Sequence, residues 1–161
     1  MSLDLPYPWI EDEALQANFD RIKTEWPEPA SAWQDFTATV SATSVTLGTG
    51  GTNLARYAKQ GRTVTASGLI TLGTGGAFTG TECLIALPLA AASSMGQIGT
   101  AAASDNSTGF VYPGSCVVNA SGSTVFFRFV SGSNTPLGAT TPFTWADSDA
   151  LYWQITYETA V

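Results

Sequence analysis

The sequence predicts a mainly β protein: an antiparallel β-sandwich of jelly-roll type, preceded by an extended N-terminal arm and one short α-helix. Three observations carry that expectation. Apolar and polar residues alternate with a period of two through most of the chain after Ser31. Clusters of Gly, Ser, Asn and Pro cut the alternating stretches into short pieces. Helical periodicity is confined to the start, and acidic charge is concentrated there: residues 1–35 hold eight of the thirteen acids against only Arg21 and Lys23. The chain therefore divides into an arm over 1–32 and a β-domain over 33–161.

The arm opens with Leu5-Pro6-Tyr7-Pro8-Trp9-Ile10. Its two prolines hold the backbone extended and disfavour helix at the residues before them. Leu5, Tyr7, Trp9 and Ile10 are too few to build a core, so they are expected to lie on another surface, either the chain's own sheet or a partner as attachment residues. From about 11 to 26 the pattern is helical. Glu11, Asp12 and Glu13 load the first turn while Arg21 and Lys23 fall near the end, both in the sense that complements the helix dipole. Leu15, Phe19, Ile22 and Trp26 follow a 4, 3, 4 spacing, a seam of about two heptads. An isolated helix of this length is marginal in water, so the seam needs a surface. It either caps its own domain or meets copies of itself as an oligomerisation seam. Pro27 ends the helix, and Glu28-Pro29-Ala30-Ser31 reads as a stiff linker.

In the body, Phe36, Ala38, Val40 and Ala42 alternate with polar residues, as do Val64, Ala66, Gly68, Ile70 and Leu72, and again Leu151, Trp153, Ile155 and Tyr157. Further strands are expected at 45–47, 54–59, 82–87, 96–102, 110–112, 115–119 and 124–130, with a hairpin at Gln60-Gly61. The abundance of Ser, Thr and Gly would suit a disordered chain, but thirteen aromatic residues within 36–161 argue for a packed core. The hexapeptide Thr-Leu-Gly-Thr-Gly-Gly occurs at 46–51 and at 71–76. Both copies follow strands without opening a helix, and no Lys follows the glycines, so they read as strand-ending loops rather than phosphate loops.

The inventory for catalysis is thin. With no histidine, the Ser-His-Asp triad, the Cys-His pair and imidazole zinc sites are excluded. Cys83 and Cys116 lie in apolar surroundings and read as buried reduced thiols, and two thiolates do not make a metal site. Glu82, Asp105, Asp147, Asp149 and Glu158 are the only acids after residue 35 and are the candidates for a glycan-cleaving pair. Asp105-Asn106-Ser107 and Asp147-Ser148-Asp149 read instead as side-chain-stabilised turns. No catalytic residue, cofactor or metal is expected. A formal charge of −7 argues against nucleic acid or an anionic membrane as partner. The opening residues carry no basic, then apolar, export pattern, and the longest apolar run, Cys83–Ala92, falls short of a membrane span.

The stretch Arg56-Tyr57-Ala58-Lys59-Gln60-Gly61-Arg62-Thr63-Val64-Thr65-Ala66-Ser67-Gly68-Leu69-Ile70 resembles a pattern of small structural proteins of tailed bacteriophages. The Gly/Thr-rich loop after it, the strand ending in Leu87-Pro88 and the late aromatic strand Leu151 to Tyr157 are similar in layout. So are the opening Trp33-x-x-Phe36-Thr37 and the upstream Asn18-Phe19-Asp20-Arg21-Ile22. The resemblance implies a virion surface protein of the tail-fibre, tail-tip or head-fibre kind, made in the host cytoplasm without a signal peptide. It also implies a homotrimer bound to other virion proteins through the arm, with the sandwich facing outward and able to bind a host-surface glycan. No long fibre-forming segment is present, which favours a short peg, minor tail protein or capsid decoration. A free carbohydrate-binding module and a tail-mounted glycan hydrolase are the competing expectations.

Overall fold

The computed structural model describes residues 17, 18, 21, 32–40, 45–92, 96–130 and 134–159. Within them the protein is mainly β, built from antiparallel pairings and consistent with a β-sandwich. The strands are β1 (Gln34–Asp35), β2 (Val45–Thr46), β3 (Thr52–Gln60), β4 (Thr63–Thr71), β5 (Ala77–Phe78), β6 (Leu84–Ala86), β7 (Gln97–Asp105), β8 (Phe110–Val118), β9 (Thr124–Val130), β10 (Asn134–Pro136) and β11 (Ala150–Glu158). Of the expected helix, Ala17, Asn18 and Arg21 are helical and exposed. Leu15, Phe19, Ile22 and Trp26, like Leu5, Tyr7, Trp9 and Ile10, lie outside the described residues.

The main sheet runs β1-β3-β4-β11-β7-β8-β9-β10, with β6 also on β9. Its centre is β11, which pairs with β4 over nine residues and with β7 over five. Alternation along β11 sends Leu151, Trp153, Ile155 and Tyr157 inward and leaves Tyr152, Gln154, Thr156 and Glu158 outside. The inward set meets Val64, Ala66, Ile70 and Leu72 of the β4 arm, Cys116 and Val118 of β8, and Val125, Phe127 and Phe129 of β9 in one buried cluster. Truncating Phe127 or Phe129, both fully buried, would cost about 3–5 kcal/mol.

The segment around β1 changes partners along its length. Gln34 and Asp35 pair with Tyr57 and Arg56 of β3, and Phe36 N–H donates to Ala55 O at 3.0 Å. Farther on, Ala86 N–H donates to Thr39 O at 2.8 Å and Val40 bridges Ile85 of β6. Because β6 pairs with β9, the hydrogen-bond path returns to where it began and encloses the core. The alternation expected over 36–42 therefore belongs, through Val40, to a crossing segment rather than to one regular strand; Ser41 and Ala42 lie outside the described residues. Similarly, the two short strands expected at 110–112 and 115–119 are one strand. Pro113 and Gly114 lie inside β8, where Gly114 gives space to the Phe129 ring: a Cβ there would come within 2.6 Å of it.

The repeated hexapeptides pair with each other. Thr49 and Thr74 exchange reciprocal backbone hydrogen bonds of 2.9 and 3.0 Å, and each copy closes the same turn, Gly51 N–H to Gly48 O and Gly76 N–H to Gly73 O. A local two-fold relation that places Thr49 on Thr74 thus places 46–51 on 71–76. The pairings β2·β5 and β3·β4 continue one antiparallel register on either side of this junction. One long ribbon, folded at Gly61, bends where both arms carry the same six residues. Gly50 and Gly75 take the matching left-handed φ of +82° and +78°. The symmetry fails at Leu72, whose backbone pairs with Ser148 and Asp149 instead.

The far end of the ribbon is held by a chain of rings. Phe78, Trp145, Phe143 and Tyr112 follow one another with centroid distances of 4.3, 4.6 and 5.1 Å.

The two loop copies give a direct test. At Gly73 a Cβ would lie 2.2 Å from Thr49 O and 2.3 Å from Gly51 N, so Gly73→Ala is expected to destabilise by more than about 3 kcal/mol. At Gly75 a Cβ meets open space and only the positive φ resists, so Gly75→Ala should cost about 1–2 kcal/mol. Urea denaturation of both variants checks the order.

Candidate functional site

The outward residues of β3, β4, β11 and β7 fall into registered rows. Leu54, Leu69, Tyr152 and Ala102 are cross-strand partners in one row; Arg56, Ser67, Gln154 and Thr100 form the next. Strand alternation dictates this: the residues between them, Ala55, Gly68, Trp153 and Ala101, are the inward row. Along one side the face is bounded by Asp35 and Phe36 of the β1 segment. Together these residues line an open groove of about 780 Å³. Its floor is apolar along one row and polar along the other.

Tyr152 stands on the central strand with 48% of its surface exposed, although its neighbours on the same face of β11 are polar. At the edge, the Arg56 guanidinium lies 4.7 Å from the centroid of the Trp33 ring, while Asp35 faces Arg56 in register. Among the described residues lining the groove, Asp35 and Arg56 alone carry formal charge, and they are of opposite sign. Beneath the floor, Trp153 is 3% exposed and its indole lies against Gly68, where a Cβ would come within 2.5 Å of Nε1. Gly68 is thus the thin point of the wall, with groove on one side and core on the other.

The acids weighed for cleavage are occupied elsewhere. Glu82 pairs with Arg128 at 3.2 Å. Asp105 Oδ1 accepts from Ser107 N–H, Ser107 O–H and Thr108 N–H, which makes the expected side-chain turn. The neighbouring Asp149 is buried and accepts from Asn106 N–H at 2.8 Å and Ala146 N–H at 2.6 Å, tying the β7–β8 turn to the entry of β11. Asp147 accepts from the Thr74 hydroxyl, and Glu158 is exposed on β11. None of the five lines the groove. Among the described residues no group of three or more His, Cys, Asp or Glu side chains is placed to hold a metal ion.

Both thiols are buried and free of a disulfide. Burial pushes Cys83 up to about 12 and Cys116 up to about 11, and the Cys116 thiol donates to Thr100 O and Gln154 O. Cys116 fits where β7, β8 and β11 converge, beside Gly99, at which a Cβ would come within 2.2 Å of Gln154 O.

The residues nominated from sequence for attachment and oligomerisation lie outside the described residues, whereas Tyr152, Leu69, Leu54, Gln154 and Ser67 were not nominated at all. A signal for them existed. Leu69 and Tyr152 occupy the polar phase of otherwise regular alternations, where a large apolar side chain faces water. Comparison with protein-family models, characterised proteins and solved structures gave no significant match to this chain.

Two pH responses follow. The Asp105 carboxyl is held below its ordinary range, first by the Ser107 and Thr108 hydroxyls and then by backbone N–H donors. Its contribution is complete above about pH 4, the unfolded value, and is lost as pH falls through the lower folded value. Asp105→Asn is expected to flatten the acid limb of melting temperature against pH. For the thiols the sign reverses: folded values lie above the unfolded value near 8.5, so stability falls as pH rises from about 8.5 toward 11. At neutral pH neither thiol should react with a disulfide reagent until denaturant is added, as thiol titration will show.

Proposed function

We propose that this chain is a non-enzymatic virion structural protein of the tailed-bacteriophage kind, displayed on the particle surface, whose β-domain binds a host-surface glycan. The observation that carries the proposal is the open groove on the outer sheet face, with an exposed Tyr152 beside a row of hydrogen-bonding side chains. The β-domain takes the finer form of a jelly-roll-like sandwich. That form is supported by the insertion of β11 between β4 and β7, which brings distant parts of the chain side by side as Greek-key windings do. Residues 1–32 join it to other virion proteins and assemble it as a homotrimer, with Tyr7 and Trp9 as anchors and the Leu15, Phe19, Ile22, Trp26 seam as the oligomer contact. The protein is made in the host cytoplasm. A binding rather than cleaving role is supported by the engagement of Asp105 and Asp149 as backbone acceptors and by a groove whose described lining holds a single carboxylate, Asp35.

The same groove would serve a free carbohydrate-binding module, and the arm separates the two readings. A chain lacking residues 1–10 is expected to melt as the full chain does, yet to be missing from particles assembled without the wild-type protein, as immunoblots of purified virions will show. Entry at wild-type level rejects the arm as the attachment device. Absence of the full-length chain from purified particles rejects the virion assignment and leaves the free module.

A further inference from the structure

We infer that the groove takes a short, uncharged oligosaccharide lying across β3, β4, β11 and β7, at right angles to the strands; the inference rests on the glycan-binding reading above. The direction comes from the rows. The apolar row Leu54, Leu69, Tyr152, Ala102 and the polar row Arg56, Ser67, Gln154, Thr100 both run across the strands, so amphipathic character is constant along the groove and changes across it. A sugar chain has the same character, with C–H faces that pack on an aromatic ring and hydroxyl edges that exchange hydrogen bonds with amides and hydroxyls. Tyr152 supplies the platform, and Gln154, Ser67 and Thr100 face the hydroxyl edge. Three gaps between four strands, at about 4.8 Å each, make the floor roughly 14 Å long, a span for several rings rather than one.

Charge selects within the sugars. Asp35 and Arg56 oppose each other in register, so the described residues lining the groove carry no net formal charge. Arg56 is already matched by Asp35 across the register, so a sialylated or sulfated saccharide finds no unbalanced cation among the described lining residues. Topology leaves little sheet edge at the groove for a peptide to add as an extra strand. β3 lies between β1 and β4, β4 between β3 and β11, β11 between β4 and β7, and β7 between β11 and β8. Among the described residues β4, β11 and β7 are paired on both sides at the groove, while β3 meets β1 only at Arg56 and Tyr57.

The test uses the full chain against immobilised trisaccharides of glucose, galactose, mannose and N-acetylglucosamine, beside sialylated and sulfated trisaccharides, followed by calorimetry on the strongest binder. Binding to at least one uncharged trisaccharide is expected, weakened about tenfold or more by Tyr152→Ala and also reduced by Gln154→Ala. Ile98→Ser, on the same outer face but outside the groove and 74% exposed, should leave it unchanged. Far-UV circular dichroism melts confirm that the variants stay folded, and Ala102→Trp, which fills the groove from its other end, gives an independent block. Binding confined to acidic trisaccharides and lost in Tyr152→Ala overturns the uncharged class while keeping the glycan reading. Binding indifferent to both Tyr152→Ala and Ala102→Trp removes the groove as the site. No binding to any trisaccharide overturns the inference and the glycan reading together.

Discussion

The register between β4 and β11 is the constraint on which the rest of the structure depends. Nine consecutive residue pairs fix it, from Ala150 opposite Thr71 to Glu158 opposite Thr63. Side chains alternate, so a slip of one residue would turn Trp153 outward and drive Tyr152 or Gln154 into the core. The inward row shows how the sequence marks the register. Trp153 faces Gly68 on one side and Ala101 on the other, and Ala55 follows beyond Gly68. One large ring is accommodated because its cross-strand neighbours have almost no side chain. Core and groove are therefore two faces of one pairing, and neither can be repositioned without the other.

The ribbon that carries β3 and β4 adds a second constraint at a distance. Its bend must be made by both arms at the same level, or the pairing on one side would fall out of step with that on the other. Local chemistry solves this by placing the same six residues on both arms around the Thr49–Thr74 pair. Space is as important as φ there. Gly73 has an ordinary φ, yet any Cβ on it would strike the backbone of the opposite copy.

How much of this was legible follows from what each feature depends on. Inward positions such as Val64, Ile70, Leu151 and Ile155 were readable because burial on one sheet face leaves a period of two in the chain itself. The Asp105 turn was readable because its partners are two and three residues away. The joining of β4 to β11 was not, since the partners are about eighty or more residues apart and nothing local names them. β8 was split because Pro113 and Gly114 look like a break. The strand tolerates both: Pro113 is exposed on the outer face, and Gly114 makes room for Phe129. The repeat was seen as two loops, but its reason, a shared corner, needs the pairing. The groove was hidden in the phase of the alternation: Leu69 and Tyr152 looked like irregularities of two strands until register put them side by side.

The position of β11 in the chain also sets an order of events. β3, β4, β7, β8 and β9 are all synthesised before it, and hairpin neighbours such as β3–β4 and β7–β8 can pair as they emerge. The central strand arrives last and must enter between β4 and β7, two edges that until then stand open. Long-range pairing of this kind is slow, because loop closure must be met before contacts reward it. During that interval Val64, Ala66 and Ile70 lack their cross-strand neighbours Tyr157, Ile155 and Leu151, and the open edges of β4 and β7 are exposed to other chains, the situation in which nascent β proteins aggregate or exchange strands. The same late insertion supplies Tyr152 and Gln154 to the groove. A molecule presenting the complete groove has thereby already joined β4 to β7, so the intact groove reports on completed folding.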